Sequence, residues 1–385
     1  MRDVAVIGAG PAGLTAARAL AAAGHDVLVL EEHAQIGVPV HCTGVLGLDA
    51  FAEFDIPSHA ILGTAHAATF FAADGSSVAV DADHAKAAVV DRAVFDQALA
   101  DSSRAAGVEI RCGSRVRTIT NDDDRVSIGV NEGDTVEARA CVLACGASYR
   151  FNRQLGLGVP RSFVQSAQLE RPLDGPDTVE VHLGREVAPA GFAWVVPFER
   201  EGRRHVRLGL MCESRALSHF HDFCARTRAR FGASDEWPEP RLKILPLGPV
   251  ARTYAPRLLA VGDAAGLVKP TTGGGIYYSL ISGRIAADTL AEALRADDLR
   301  DARLKRYETE WRSRLGADIR VGLAFRTLAS RMNDRAIDAV IELARIDGIV
   351  PLLRQTADFN WHRQSALALL RHAQFRKILL TSLWS

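Results

Sequence analysis

The sequence predicts an α/β fold with a parallel sheet covered by helices, then an antiparallel sheet and a helical C-terminal region. Two apolar runs, Val4–Ile7 and Val27–Leu30, flank a glycine-rich turn and an alanine-rich segment, which is typical of a buried β-α-β unit. Between residues 163 and 243, short strand-like runs are separated by polar turns, which favours antiparallel pairing. From residue 300 onward the apolar spacing is helical. A chain of 385 residues is long enough for two or more domains.

The overall composition excludes several classes of protein. Forty-six basic residues balance forty-six acidic ones, which argues against a broad basic surface for nucleic-acid binding. The 48% apolar content is that of a globular protein. Six cysteines show neither C-x-x-C spacing nor a cluster with histidine, so we expect a reducing compartment and no metal site. There is neither a leader pattern nor an apolar run of about 18 residues, and we expect a cytoplasmic protein.

The turn after the first strand carries a dinucleotide-binding pattern, G-x-G-x-x-G. Gly8 permits the tight turn, Gly10 lets a pyrophosphate approach the backbone, and Gly13 lets the helix pack closely on the sheet. The N-terminus of that helix offers free N–H groups and a partial positive charge to the phosphates. Glu31, at the end of the second strand, can accept hydrogen bonds from both ribose hydroxyls and would repel a 2′-phosphate. The pattern therefore predicts FAD or NAD, and not NADP.

A second glycine-rich segment, 250 residues later, favours FAD over NAD. A buried run ends in Gly262-Asp263, where the carboxylate could bond a ribityl hydroxyl. Gly273, Gly274 and Gly275 then precede a helical pattern, and three successive glycines are explained by a planar ligand that touches the main chain. The helix behind them would direct its positive end at the flavin pyrimidine ring.

The two motifs together resemble flavoproteins of the p-hydroxybenzoate hydroxylase type, and residues 262–266 with 270–276 are similar to the geranylgeranyl reductase family. Two further segments agree with that family. Residues 40–44 resemble its cysteine-glycine loop beside the flavin, and residues 192–198 resemble its Tyr-x-Trp-x-Phe-Pro signature. The likeness extends from about residue 1 to residue 295, and it implies an FAD-dependent reductase of isoprenoid double bonds.

Some residues depart from these patterns. Phe192 replaces the family's tyrosine, Val196-Pro197 replaces its Phe-Pro, and Thr43 stands where many members have glycine. Cys145 occupies the place of an aspartate that aromatic hydroxylases carry after the third strand. The last departure favours a reductase over a hydroxylase.

The resemblance also implies roles for single residues. It places the Arg92 side chain near the cofactor and the Val116 backbone against the adenine, although a surface position on a first helical turn is the alternative for Arg92. The predicted FAD-binding residues are Gly8, Gly10, Ala12, Gly13, Glu31, His41, Cys42, Gly44, Arg92, Val116, Gly262, Asp263, Gly273, Gly274, Gly275 and Ile276.

The predicted substrate is an isoprenoid chain of a lipid, a pigment precursor or a prenylated quinone. Phe192 and Trp194 fall on one face of a strand and would contact that chain, with core packing as the alternative. Hydride transfer from reduced flavin to an unpolarised double bond also requires a proton, and Cys42, His41 and Tyr277 are the candidate catalytic donors. No second dinucleotide motif is present, so NAD(P)H, ferredoxin and free reduced flavin all remain as electron donors.

Two other functions are consistent with the predicted fold. The first is an FAD-dependent monooxygenase of an aromatic or lipid substrate, which Cys145 disfavours. The second is a non-catalytic prenyl-binding protein, which the intact Glu31, Asp263 and three-glycine run disfavour. A flavin spectrum in the purified protein separates the enzymes from the binding protein, and oxygen dependence separates reductase from oxygenase.

We divide the chain into four parts, at approximate boundaries. The parts are residues 1–160, a Rossmann-type FAD-binding domain that can include substrate-domain insertions; 161–250, the antiparallel substrate domain; 251–300, the rest of the FAD-binding domain; and 301–385, the helical region. The tail from Ser365 to Trp384 is amphipathic and basic. It could rest on the anionic inner face of a membrane or dock on the protein body.

Overall fold

The computed structural model describes residues 1–232, 237–346, 349–356 and 358–383. In chain order the first elements are β1 (Arg2–Ile7), α1 (Pro11–Ala22), β2 (Val27–Leu30), β3 (Val45–Gly47), α2 (Asp49–Phe54), β4 (Ile61–Ala65), β5 (Ala67–Phe71), β6 (Ser77–Asp81), β7 (Ala87–Val90), α3 (Arg92–Ala105), β8 (Glu109–Arg111), β9 (Val116–Asn121), β10 (Val126–Val130) and β11 (Asp134–Leu143). They are followed by β12 (Ser162–Pro172), β13 (Val179–His182), β14 (Phe192–Arg200), β15 (Arg203–Cys212), α4 (Ala216–Arg230), β16 (Arg241–Leu247), β17 (Tyr254–Ala255), β18 (Leu258–Ala260), α5 (Ile276–Arg295), α6 (Asp301–Ala329), α7 (Asp334–Ile346), α8 (Ile349–Thr356), α9 (Arg363–Arg371) and α10 (Ala373–Leu383).

The first sheet holds the N-terminal motif. Its strands run in the order β17-β18-β11-β1-β2-β8, and β9 and β10 extend from β11 as an antiparallel hairpin. β1 is central and pairs in parallel with both β2 and β11, so its last four residues are buried on both faces. α1 packs against α3 and α5 on one side of this sheet. The apolar runs of the sequence thus form the predicted parallel sheet.

The second sheet has seven strands in the order β16-β12-β15-β14-β13-β5-β6. All its pairs are antiparallel except β13 with β5. α4 covers one face and buries Phe220 and Phe223 against the aliphatic residues of β12 and β15. β5 and β6 come from the first 160 residues of the chain, so this sheet includes an insertion of the kind that the approximate boundaries allow.

The C-terminal region is mostly helical, with short non-helical connections such as residues 358–362. α6 packs against α5 and connects the first sheet to the later helices. The basic tail forms α9 and α10, and Phe375 and Leu379 of α10 are buried with Met332 and Ala336 near the start of α7. The apolar side of the tail is therefore docked on the protein body, while Leu380 is 59% exposed. Trp384, at the end of the predicted tail, lies outside the described residues.

The predicted fold class is confirmed: a Rossmann-type parallel sheet, an antiparallel sheet and a helical C-terminal region. A search of the described helices found none that is both long and apolar enough to cross a bilayer.

Candidate functional site

A cavity of about 1140 Å³ runs between the first and second sheets, a small third sheet of β3, β7 and β4, and the C-terminal helices. All the sequence-predicted site residues line it except Gly13 and Gly262. These two glycines serve packing instead. A Cβ atom at Gly13 would lie 2.1 Å from the Gly8 carbonyl oxygen, and one at Gly262 would lie 3.0 Å from the Ala12 Cβ. The predicted cofactor and substrate residues are thus neighbours in space although up to 270 residues separate them in sequence.

The turn between β1 and α1 forms a cradle at one end of the cavity. Gly8 has a φ of +106°, and a Cβ atom there would lie 2.4 Å from the Ala144 carbonyl oxygen, so only glycine fits. A Cβ atom at Gly10 would meet nothing within 4 Å. Protein packing therefore does not explain this glycine, whereas a phosphate that contacts the backbone does. Pro11 begins the helix and leaves the free N–H groups of its first turn beside the cavity.

Glu31 lies beside this cradle and is held in a fixed orientation. One carboxylate oxygen accepts a hydrogen bond from the Ala9 N–H at 2.8 Å, and the other accepts one from the His33 N–H at 2.9 Å. The His33 Nδ1 atom lies 2.6 Å from that second oxygen. Glu31 is 9% exposed and faces the cavity, whose wall here includes Val116 at the start of β9. The arrangement fits an adenosine ribose at the carboxylate.

The second glycine-rich segment forms the middle of the cavity. A Cβ atom at Gly275 would lie 2.7 Å from Asp263 Oδ1, so this glycine and the aspartate are in direct contact. The Asp263 carboxylate accepts a hydrogen bond from Lys243 Nζ at 3.3 Å. Lys243 belongs to β16 of the second sheet, and it reaches across to the first. A lysine at this point would also attract cofactor phosphates, and the sequence alone did not single it out.

The cysteine-glycine loop, residues 40–44, lies against α3. The Cys42 sulfur accepts a hydrogen bond from the Gly44 N–H at 3.3 Å. Arg92 is mostly buried beside it and donates three hydrogen bonds to Asp96, at 2.7, 3.0 and 3.3 Å. Burial lowers the pKa of Arg92, but the Asp96 carboxylate and the Cys42 sulfur outweigh it, and the net pKa is raised. Arg92 is therefore a permanent cation that lines the cavity, and not a surface arginine.

The other two candidate proton donors differ in their surroundings. Burial, with help from the positive charges of Lys243 and Arg241, lowers the pKa of His41, which favours its neutral form. The Tyr277 hydroxyl donates a hydrogen bond to Glu53 at 2.6 Å, and burial raises the pKa of this tyrosine. Tyr277 thus directs its proton to a carboxylate of α2.

The part of the cavity that was predicted to hold substrate is aromatic and aliphatic. The rings of Phe192 and Trp194 lie 5.7 Å apart on the same face of β14, as alternation predicts. A Cβ atom at Gly209, the cross-strand partner of Trp194, would lie 2.2 Å from the indole, so this glycine makes room for the ring. Facing them are aliphatic side chains of the C-terminal helices, namely Ile337, Val340, Ile341, Ala344, Ile349 and Leu353.

A short C-terminal segment, residues 358–362, closes the cavity over the three-glycine run. Lys269 is 5% exposed and donates a hydrogen bond from Nζ to the Phe359 carbonyl at 2.7 Å. Burial lowers the pKa of Lys269 to about 8. The Thr271 hydroxyl lies 2.5 Å from His362 Nδ1, and His362 Nε2 lies 3.0 Å from the same Phe359 carbonyl. Burial, and then the charge of Lys269, lowers the pKa of His362 to about 3.

This segment was missed because it carries no motif and its partners are about 90 residues away. The available signal was the lysine itself, since a cation directly before a cofactor-binding glycine run needs a partner.

The residues of the cavity fit FAD in both length and chemistry. Glu31 and the free N–H groups of α1 suit the adenosine and pyrophosphate. Asp263 suits a ribityl hydroxyl, and the N-terminus of α5 behind Gly275 suits the pyrimidine ring of a flavin. The apolar chamber continues beyond this run, so the cavity has room for a second molecule next to the cofactor.

The chain is similar in sequence to known proteins. A family described as "Lycopene cyclase protein" matches residues 3–335. Digeranylgeranylglycerophospholipid reductase 2 of Methanopyrus kandleri is 34% identical over 379 residues, covering 91% of this chain and 92% of that protein.

Two solved structures share the fold. A geranylgeranyl bacteriochlorophyll reductase-like protein of Thermoplasma acidophilum has a TM-score of 0.85 at 22% identity, with 99% of each chain covered. The halogenase PltM in complex with phloroglucinol and FAD has a TM-score of 0.69 at 16% identity, with 100% of this chain and 91% of that chain covered.

Proposed function

Because the chain belongs to the geranylgeranyl reductase family of FAD-dependent oxidoreductases, we propose that it reduces carbon–carbon double bonds in the isoprenoid chains of a lipid. The predicted family, the cofactor FAD and the enzyme class are confirmed by this membership. The names of the relatives support a digeranylgeranyl glycerophospholipid as substrate, in preference to a pigment precursor or a prenylated quinone.

The observation that carries the proposal is the continuity of the cavity. The run from Glu31 to Gly275 fits FAD, and the chamber beyond it is lined by Phe192, Trp194 and the aliphatic side chains of α7. An elongated apolar chain can enter such a chamber and bury its surface there, at about 25 cal/mol per Å². Because the walls are apolar, water is excluded from the reacting carbons.

The chemistry divides between cofactor and protein. FAD, when bound and reduced, supplies hydride to one carbon of the double bond. The protein must hold the chain in place and deliver a proton to the other carbon. Phe192 and Trp194 provide the flat apolar contacts that orient the chain.

We assign the role of proton donor to Cys42, in preference to His41 and Tyr277. Cys42 carries an S–H group that can donate a proton, and it lines the cavity, so it can act as the acid. His41 has a lowered pKa and is neutral, and the Tyr277 hydroxyl already donates to Glu53. Arg92 beside Cys42 would stabilise the thiolate that remains after proton transfer.

Product analysis tests the proposed function. The protein is loaded with FAD, reduced with dithionite without oxygen, and mixed with a digeranylgeranyl glycerophospholipid. We expect the lipid to gain two hydrogen atoms for each bond reduced, as measured by mass spectrometry, with no need for oxygen. A product that instead gains an oxygen atom in air would overturn the assignment and indicate a monooxygenase.

The electron donor and the site in the cell are also proposals. In the described chain we find one glycine-rich β-α-β unit, β1-α1-β2, which leaves an external donor to reduce the bound FAD. NAD(P)H, ferredoxin and free reduced flavin are distinguished by the rate at which each bleaches the flavin. A lipid substrate supports a cytoplasmic protein that works at the inner face of a membrane.

A further inference from the structure

Arg207 is a buried charge with no part in the cofactor run or the substrate wall. It lies in the middle of β15, among apolar residues, and is 1% exposed. A buried guanidinium is costly unless its N–H groups are satisfied, so its partners show what it does. Its Nε donates to Glu170 at 2.9 Å, and its flat face lies 4.7 Å from the centre of the Phe198 ring.

The other partners of Arg207 are two main-chain carbonyls near the cofactor site. Nη1 donates to the Thr43 carbonyl at 2.6 Å and to the Val90 carbonyl at 2.8 Å. Thr43 follows Cys42 directly, and Val90 lies two residues before Arg92. One guanidinium therefore ties together the two segments that place Cys42 and Arg92 beside each other.

The loop of residues 40–44 is shaped to receive this guanidinium. Gly44 has a φ of +72°, and a Cβ atom there would lie 2.8 Å from Arg207 Nη1. The Thr43 hydroxyl also donates to Gln168 of β12 at 2.6 Å. The loop is thus fixed to the second sheet at two points. Glycine is required at position 44 by the positive φ and by the close approach of the Val90 carbonyl oxygen, 2.6 Å from a Cβ atom there, as well as of Arg207.

We propose that Arg207 is a positioning residue, which fixes the loop of residues 40–44 and thereby holds the Cys42 thiol in its place in the cavity. The inference rests on the proposed function in that Cys42 is the proton donor. Glu170 orients Arg207, and Arg200 binds Glu170 in turn, while its Nη2 donates to Asp91, the N-cap of α3, at 2.8 Å.

Two neighbouring arginines provide a matched pair of variants. Arg207→Lys keeps the charge but loses the planar fork that serves Glu170 and both carbonyls together. Arg200→Lys disturbs the same Glu170 but touches no atom of the loop. Glu170→Gln keeps the shape of the side chain and removes its charge. If Arg207→Lys does not fold, Glu170→Gln is measured in its place.

The first measurement is the alkylation rate of Cys42 by iodoacetamide in the FAD-loaded protein, followed by peptide mass mapping. We expect Arg207→Lys to raise this rate at least about tenfold, because the loop then opens more often. Glu170→Gln should raise it less, and Arg200→Lys should leave it near the wild-type rate. Equal rates in the Arg207, Glu170 and Arg200 variants, at similarly lowered thermal stability, would overturn the proposal and make Arg207 a structural residue only.

The second measurement separates this inference from the proposed function. With a digeranylgeranyl glycerophospholipid, we expect Arg207→Lys to lower kcat by about 10²-fold with little change in KM, since a misplaced donor affects the reaction and not binding. If the wild-type protein reduces no prenyl lipid, the proposed function fails. The alkylation rates would still decide whether Arg207 positions Cys42.

Discussion

At the scale of single residues, Glu31 gives the sharpest test of the cofactor site. Glu31→Ala removes the acceptor for ribose hydroxyls and releases Ala9 and His33 from their present orientation. Charge-assisted hydrogen bonds contribute about 1.5–3 kcal/mol each, so the Kd for FAD should rise at least about tenfold. Asp263→Ala should weaken binding in the same direction. The measurement is flavin fluorescence titration of the apoprotein.

Glu137→Ala is the control for that titration. Glu137 lies on β11, away from the cavity lining, it is partly exposed, and it forms a surface ion pair with Arg125 at 3.3 Å. Its removal should leave the Kd for FAD unchanged. If Glu31→Ala retains FAD as well as Glu137→Ala does, the adenosine end of the site is wrongly placed.

Trp194 tests the substrate wall. The Nε1 atom of Trp194 is buried and has no hydrogen-bond partner within the described residues. Trp194→Phe therefore removes part of the ring and breaks no hydrogen bond. We expect this variant to fold, to retain FAD, and to change the rate or the choice of double bond in a geranylgeranyl substrate. Stability should fall by about 1–2 kcal/mol.

Trp311→Phe controls for ring loss alone. Trp311 is buried outside the cavity, where it donates to the Thr253 hydroxyl at 2.9 Å. It should lower stability and leave the product distribution as in the wild type. An unchanged rate and product pattern in Trp194→Phe would make Trp194 a core residue.

A residue can be predicted from the sequence when its role depends on neighbours that are close along the chain. Gly8, Gly10 and Glu31 belong to one β-α-β unit, and Asp91 caps α3 by accepting hydrogen bonds from the N–H groups of Ala93 and Val94. Arg207 could not be found in this way, because its carbonyl partners lie 164 and 117 residues away and carry no side-chain signal. The one indication in the sequence was that Arg207 lies in the middle of an apolar strand.

At the scale of elements, we expect the segment of residues 358–362 to be sensitive to pH. The pKa of His362 is lowered from 6.5 to about 3 in the folded protein. His362 is therefore neutral when the segment is closed, that is, when it is packed against Lys269 and Thr271. As pH falls below about 6.5, the open segment gains a proton that the closed one does not, and closure weakens by about 1.4 kcal/mol per pH unit. We expect hydrogen exchange in this segment to accelerate from pH 6.5 to about 5 in the wild type.

His362→Gln should remove that acceleration, since glutamine does not titrate. His84→Gln, at an exposed histidine, should leave it intact. An identical pH dependence of exchange in the wild type and in His362→Gln would show that the histidine does not control the segment.

The tail tests contact with a membrane. Arg371, Arg376 and Lys377 are exposed on α9 and α10, while the apolar side of α10 is docked against α7. If the exposed charges face anionic lipid, each one removed should weaken binding to phosphatidylglycerol vesicles by about 1 kcal/mol in a sedimentation assay. Arg226→Gln, on α4, is the comparison and should have no effect. Unchanged sedimentation of the triple variant would leave the tail as a docked helix pair.

A helix or strand was predictable from the sequence where it has a regular apolar periodicity or a helix-capping residue. The pairing of segments that are distant in sequence was less predictable. The helical pattern expected after the three-glycine run is α5, and the predicted apolar runs Val4–Ile7 and Val27–Leu30 lie in β1 and β2. The parallel pairing of β5 with β13 joins residues more than 100 apart. No local signal specifies such a pairing, because the strand pattern is the same in either sheet.

At the scale of the whole molecule, three sheets and a helical region enclose a cavity that none of the sheets forms alone. Lys243 reaches from the second sheet to Asp263, which follows β18 of the first sheet. Arg207 reaches from the second sheet to Thr43 and to Val90 of the small sheet, and Lys269 binds the C-terminal segment. The sequence indicated both halves of this cavity through separate motifs. Their meeting depends on packing between distant parts of the chain, which only the structure shows.

The most direct test of this account is a single turnover without oxygen. Protein with dithionite-reduced FAD is mixed with a digeranylgeranyl glycerophospholipid, or with its fully saturated counterpart, and flavin absorbance is followed. We expect the unsaturated lipid to restore the oxidised flavin spectrum with one double bond reduced per flavin, and the saturated lipid to leave the flavin reduced. A flavin that stays reduced with both lipids, in protein that binds them equally, would contradict the assignment of this chain as an isoprenoid reductase.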